Sequence, residues 1–361
     1  MVRVIAAHGL PGSGTDPPDS PPDPSTWREL VKAVEQERLA GLLARAVADG
    51  ALPTTDEQED EAARLEIRWA CTTLLLERKL LELSERLEGA GIPHLALKGS
   101  AFAHSAYPDP ALRTFGDVDV LVPGAAFDAA VTVVSSWGGR RRFSEPRPGF
   151  TSRFGKGVAM VMPDGVEIDL HRTLVAGPIG LRVDLDGLFA TAVTLTIAGR
   201  VLHRLAPEEA FLHACYHAAL GGRVARLVPQ RDMAQMLLTT DVDLDRVHHL
   251  AEAWRGRAVV AHAVAGAWQT LTLADHPLAR WAEQYVPAPP ERRALALYLG
   301  HRRSYARQTA MAVGAVPGWG PKAVYLRALV APSRDYLATR ERTYWRRIRR
   351  GLALIRSRDR S

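Results

Sequence analysis

Gly116-Asp117-Val118-Asp119-Val120-Leu121-Val122 is the stretch on which the reading of this 361-residue chain turns. Successive side chains of a strand point to opposite faces, so Val118, Val120 and Val122 share a core-facing side and Asp117 and Asp119 share the other. Two carboxylates then lie about 6–7 Å apart along the chain. Like charges held this way raise each other's pKa and destabilise the fold unless a cation sits between them. Hard oxygen donors favour magnesium, with manganese as the second choice.

Further along, Val166-Glu167-Ile168-Asp169-Leu170-His171 alternates in the same manner and puts Glu167, Asp169 and His171 on one face. Pro163-Asp164-Gly165 separates it from the apolar run Val158–Met162, a strong hairpin signal. If this strand lies beside the first, Asp169 completes a three-carboxylate cluster with Asp117 and Asp119. Such a cluster holds two metals about 3.5–4 Å apart for in-line phosphoryl displacement.

Upstream, Leu95-Ala96-Leu97-Lys98-Gly99-Ser100 ends a short strand just before the helix-compatible run Ala101–Ala106. Backbone N–H groups, the Ser100 hydroxyl and the Lys98 ammonium together make a cradle for a triphosphate. Only five of the 46 basic residues are lysines, which sets Lys98 apart from a default surface cation. Arg113, four residues before Asp117, is placed to clamp a phosphate oxygen in bidentate fashion, with a plain loop arginine as the alternative.

Other matches read as structural. Asp184-Leu185-Asp186 and Asp241-Val242-Asp243 each precede an amphipathic run, where aspartate caps free N–H groups. Gly9–Thr15 imitates a phosphate-binding loop but lacks the lysine, and the prolines that follow forbid the helix it needs. His213 and His217, one helical turn apart, have no third zinc ligand at a suitable spacing and read as packed inside a helix.

The surrounding pattern is helical on both sides. Thr26-x-x-Glu29 and Thr54-x-x-Glu57 read as capping boxes, the second opening a long helix whose Leu76, Leu80, Leu83 and Leu87 recur at helical spacing before Gly89 and Gly91. Short strand-like runs fall at 94–97, 117–122, 158–162, 166–170 and 195–202, with a helix over 125–136. From Pro207 the periodicity is helical again, over 208–220, 230–238, 247–268, 291–307 and 321–355. The expected organisation is a disordered Pro-rich N-terminus (1–25), an N-terminal helical region (26–91), an α/β domain (92–204) and a C-terminal helical domain (205–361). The fold class is α+β, a mixed sheet with helices.

Hydrophobic residues make up 47% and charged residues 24%, an ordinary globular composition that excludes collagen-like, coiled-coil and wholly disordered chains. No apolar run approaches the roughly 18 residues that cross a bilayer. With no signal-peptide pattern and only Cys71 and Cys215, a cytoplasmic location without membrane contact is expected. Residues 341–361 hold eight arginines against Glu341 and Asp359 and carry the whole net charge of +6, leaving 38 basic and 38 acidic residues elsewhere. That is a solvated basic terminal helix, with RNA contact as the secondary reading; a duplex-DNA reader would carry its charge on the folded surface.

Taken together, Lys98-Gly99, Tyr107-Pro108, Arg113, Asp117-x-Asp119-x-Leu121-Val122, Glu167-x-Asp169-x-His171, Leu205-Ala206-Pro207-Glu208-Glu209, the segment 212–218 and Asp232 resemble the uncharacterised nucleotidyltransferase family of the polymerase-β-like superfamily. The likeness spans about residues 28 to 350. It implies a minimal nucleotidyltransferase fold, magnesium on Asp117, Asp119 and Asp169, and transfer of a nucleoside monophosphate from an NTP, ATP first, to a small-molecule or peptide acceptor. Superfamily members place a Gly-Ser pair nearer the aspartates than Ser100 stands here. The competing readings are a metal-dependent glycosyltransferase using an Asp-x-Asp motif, and a nucleotide-binding module without turnover.

Overall fold

Runs of alternating aliphatic residues supply β1 (Leu95–Leu97), β2 (Val118–Leu121), β3 (Arg140–Arg141), β4 (Gly157–Val161), β5 (Glu167–His171), β6 (Val193–Ile197) and β7 (Arg200–Arg204) in the computed structural model, which describes residues 1–222, 226–299 and 305–340. They form one mixed sheet in the order β3-β4-β5-β2-β1-β7-β6. The acid stretch is therefore a central strand, antiparallel to β1 and parallel to β5. The Pro163–Gly165 hairpin joins β4 to β5 antiparallel, with Gly165 at φ +84° in a conformation that costs glycine nothing. The run expected at 195–202 is a second hairpin rather than one strand: Ala198 and Gly199 both take positive φ and turn β6 back onto β7. The two-residue, arginine-only β3 has no apolar alternation to announce it.

The helices on the N-terminal side are α1 (Val2–Ala7), α2 (Pro24–Glu37), α3 (Ala40–Ala48) and the 34-residue α4 (Asp56–Gly89). Within and after the sheet region come α5 (Lys98–Ala106), α6 (Phe127–Ser136), α7 (Phe150–Phe154) and α8 (Leu185–Ala190). The chain then runs through α9 (Pro207–Leu220), α10 (Leu227–Thr239), α11 (Leu244–Ala253), α12 (Arg257–Leu271), α13 (Pro277–Gln284), α14 (Pro289–Ala296), α15 (Tyr305–Ala312), α16 (Trp319–Val330) and α17 (Arg334–Arg340). The helix expected over 247–268 breaks at Arg255, whose φ of 53° ends α11. The expected 291–307 helix is α14 and α15, with residues 300–304 outside the described set, as is the basic tail beyond residue 340. No described helix is long and apolar enough to cross a membrane.

Several caps differ from expectation by a few residues. Asp23, not Thr26, caps α2, accepting hydrogen bonds from the Ser25 and Thr26 amides ahead of a helix that opens on Pro24. Thr55 and Gln58, not Thr54 and Glu57, form the box of α4. Asp184 and Asp243 cap α8 and α11 through their side chains, as read. The N-terminal stretch is a larger correction. Ile5, Ala6 and Ala7 of α1 are fully buried, Arg231 donates to the carbonyls of Ala6 and His8, and Ser13 bridges Leu273. A six-residue helix is too short to show a period, so only its burial reveals it.

The sheet divides the core by parity. Ala96, Val118, Val120, Val122, Ile168 and Leu170 pack with Leu76, Leu80, Leu83 and Leu87 of α4 and with Phe127 and Val134 of α6. Leu95, Leu97 and Leu121 face the other cluster, which includes Phe211, Cys215 and Met233 of the helices after β7. Asp119 and Asp169 stand on this second side, between sheet and helices.

Candidate active site

Alternation along β2 carries Asp119 onto the face opposite Val118 and Val120, and the parallel register sets it directly beside Asp169. Leu97 is its partner across β1, and the next residue, Lys98, bends sharply. Lys98 takes φ 40° and Gly99 φ 15°, ψ −109°, a kink inside the first turn of α5. A β-carbon at Gly99 would stand 3.2 Å from the Phe115 ring, so the turn is packed as well as strained. The kink delivers Lys98 Nζ to within 2.7 Å of Asp119 Oδ1. His171 Nε2–H donates to the same oxygen at 2.7 Å.

These groups lie deep: Lys98 is 8% exposed, Asp119 5% and His171 1%. Burial works to raise the Asp119 pKa, but the Lys98 charge and the His171 hydrogen bond outweigh it and hold the carboxyl well below its usual range. The same contest runs the other way at Lys98, where burial is overcome by Asp119 and Asp117 and the ammonium is stabilised. Burial, then the charge of Lys156, pushes the His171 imidazole down to about 4, so it is neutral. Asp169 is pushed up to about 6, first by burial and then by repulsion from Asp119. It is a carboxylate short of positive charge.

Asp119, Asp169 and His171 each bring one ligand atom within 4.8 Å of the others. This differs from the acid triad expected from the sequence, because Asp117 stands just ahead of β2 and accepts from Arg38 Nη1 at 3.3 Å. Asp117 remains close enough to act electrostatically on Lys98 and Asp169. Of the expected phosphate cradle, Lys98, Gly99 and Ser100 are together at the start of α5, all buried.

Arg113 is a correction. Its Nε and Nη2 donate to the two oxygens of Asp232 at 2.9 and 2.7 Å, and Nη1 donates to the Thr114 carbonyl at 2.8 Å. Tyr107 donates to the same Asp232 at 2.9 Å. The arginine that looked free to clamp phosphate instead ties the segment before β2 to α10, and its side chain is 5% exposed. A partner 119 residues away gives no local signal in the sequence.

Lys156, just before β4, escaped the sequence reading altogether. It takes part in the same electrostatic cluster as Lys98, Asp119, Asp169 and Asp117. Burial, followed by repulsion from Lys98, lowers its pKa to about 8. The scarcity of lysine was the available clue, since two of the five converge here. His213 and His217 wall the site from α9; both are held neutral by burial first and the Lys98 charge second. His213 meets the edge of Phe102 with ring centres 6.1 Å apart, and neither histidine belongs to the ligand-capable trio.

Residues 23–271 match the model of a family described as uncharacterised nucleotidyltransferase. No curated protein matches the chain. Among solved structures, the solution structure of the antibiotic-resistance factor ANT(2'')-Ia is 16% identical, covering 50% of this chain and 91% of that one with a TM-score of 0.33. An antigenic nucleotidyltransferase-like protein from Paracoccidioides brasiliensis is 16% identical over 62% and 95% of the two chains, with a TM-score of 0.34. A crystal structure of ANT(2")-Ia in complex with adenylyl-2"-tobramycin gives 16%, 48%, 94% and 0.33 for the same quantities.

Proposed function

The chain belongs to the family of uncharacterised nucleotidyltransferases, and from that membership we propose that it moves a nucleoside monophosphate from a nucleoside triphosphate, ATP first, to an acceptor hydroxyl on a small molecule or peptide. The observation that carries this reading is the register of Asp119 beside Asp169, with Lys98 and His171 on one Asp119 oxygen.

The donor set suits magnesium or manganese. The carboxylates of Asp119 and Asp169 offer hard oxygen ligands, and the raised pKa of Asp169 marks negative charge that a cation would relieve. Asp117 stands ready at the edge of the same charge cluster. A divalent ion bound there supplies charge for the phosphoryl oxygens and acidity for the attacking hydroxyl.

The residues of the chain do the rest. Lys98, Lys156 and the amides at Gly99 and Ser100 neutralise the triphosphate. The acceptor oxygen forms its bond to the α-phosphorus as the bond to the bridging oxygen breaks and pyrophosphate departs in line. Asp169, half-buried beside Asp119, takes the hydroxyl proton.

The test is incubation of the full chain with each α-labelled NTP, magnesium and a panel of hydroxyl acceptors, read by pyrophosphate release and acceptor mass. A nucleoside monophosphate added to an acceptor is the expected result. Release of a nucleoside diphosphate from a nucleotide sugar, or tight triphosphate binding without product for any acceptor, overturns it.

A further inference from the structure

His171 and Arg172 are consecutive where β5 ends. His171 joins Asp119; Arg172, the first residue past the strand, donates through Nε to the Gly155 carbonyl at 2.8 Å and runs past Gly124. Arg172 is 6% exposed, and its buried Nη2 has no hydrogen-bond partner among the described residues. No carboxylate among them pairs with it or acts on its charge. A guanidinium buried without an anion is costly unless something else supplies one.

Arg172 lines a cavity of about 600 Å³. Its other walls are Phe154, Leu181, Val316, Pro317 and Val324, with the exposed Arg153 at the side. The cavity opens where α16 lies on α7, beside a small core of its own in which Phe150 and Phe154 pack on Tyr325. Clefts between packed units are where ligands of this size bind.

We infer that this cavity is a second ligand site, distinct from the Asp119 centre, for an apolar-bodied organic anion whose carboxylate or phosphate meets the end of Arg172. Nε is taken by the Gly155 carbonyl and Nη2 is closed off, so the oxyanion meets the part of Arg172 that lines the cavity, through opposite charge and a single charged hydrogen bond. The apolar walls cover a ring or short aliphatic body, and Arg153 adds charge at the side. This assignment stands on Arg172 and the cavity alone and does not depend on which nucleotide the Asp119 centre uses.

Calorimetric titration of the full chain with 1-naphthoate, 1-naphthyl phosphate and the uncharged 1-naphthalenemethanol tests it. At least one anion is expected to bind and the alcohol to bind far more weakly. Loss of the charged hydrogen bond in Arg172→Met is expected to weaken the anion about tenfold or more. Val324→Trp, on a partly exposed wall, is expected to do the same by filling the cavity without touching Arg172, which covers the case that the arginine variant does not fold. Preference between the two anions tells carboxylate from phosphate. Absence of binding by both anions, equal binding of the alcohol, or unchanged affinity in a folded variant overturns the site.

Discussion

Lys98 and Asp119 form a buried ion pair, Nζ to Oδ1 at 2.7 Å, that pins the kinked start of α5 to the central strand. Removing one member strands the other in a low-dielectric setting, which costs about 3–5 kcal/mol. Lys98→Met is therefore expected to unfold at lower urea concentration and to lose transfer. Magnesium, by binding the uncompensated carboxylate charge of the native state only, is expected to return part of that stability. Equal urea midpoints for wild type and variant would contradict the pairing.

Asp169 offers the cleaner test of chemistry. It already resists ionising, so Asp169→Asn is expected to fold with wild-type stability or slightly better. Transfer should fall about 10²-fold or more, the scale of losing one group that stabilises transition-state charge. In thermal unfolding, the rise in Tm that manganese gives the wild type should vanish in this variant. A variant that keeps both turnover and the manganese response removes Asp169 from the site.

Arg113 is expected to behave as a structural residue. Arg113→Met leaves the Asp232 charge buried without its ion pair, with the Tyr107 hydroxyl still donating to it, and should cost about 3–5 kcal/mol. Arg113→Lys should recover part of the stability but not the bidentate geometry. At a temperature where the lysine variant is folded, its KM for the triphosphate should match the wild type, and a selective rise in KM would return Arg113 to the phosphates.

Lys156 imposes a pH dependence whose sign follows from its depressed pKa. Folded, it loses its proton near pH 8; unfolded, it keeps it to about 10.5. Between those values the unfolded chain binds more protons, so stability rises with pH. The slope reaches at most about 1.4 kcal/mol per pH unit. Urea midpoints measured from pH 7 to 10 should therefore climb for wild type relative to Lys156→Met, and parallel curves would show that Lys156 is not desolvated.

What the sequence disclosed was local. The alternation around Asp119 and Asp169, the Pro163–Gly165 turn and the capping aspartates Asp184 and Asp243 all act within a few residues, and the sheet and caps agree with them. The members set by distance were hidden. Asp232 claims Arg113 across 119 residues, and Arg38 meets Asp117 across 79. Lys156 joins its cluster through the hairpin, with no motif of its own. His171 was legible as a residue on the acidic face, but not as the third convergent donor in place of Asp117. The N-terminal residues misled for a related reason, because the six-residue α1 is too short to show a period and only its burial reveals it.

Because Asp119 and Asp169 meet through neighbouring strands that run the same way, tolerance to insertion differs sharply within a few positions. One extra residue between Val166 and Ile168 would swing the second acid toward the α4 layer and bring an aliphatic side chain into its place. The same addition at the Pro163–Gly165 tip would merely enlarge a loop. Added length is thereby expected to be tolerated at the rim of the molecule, while the spacing of the two acids has no such freedom.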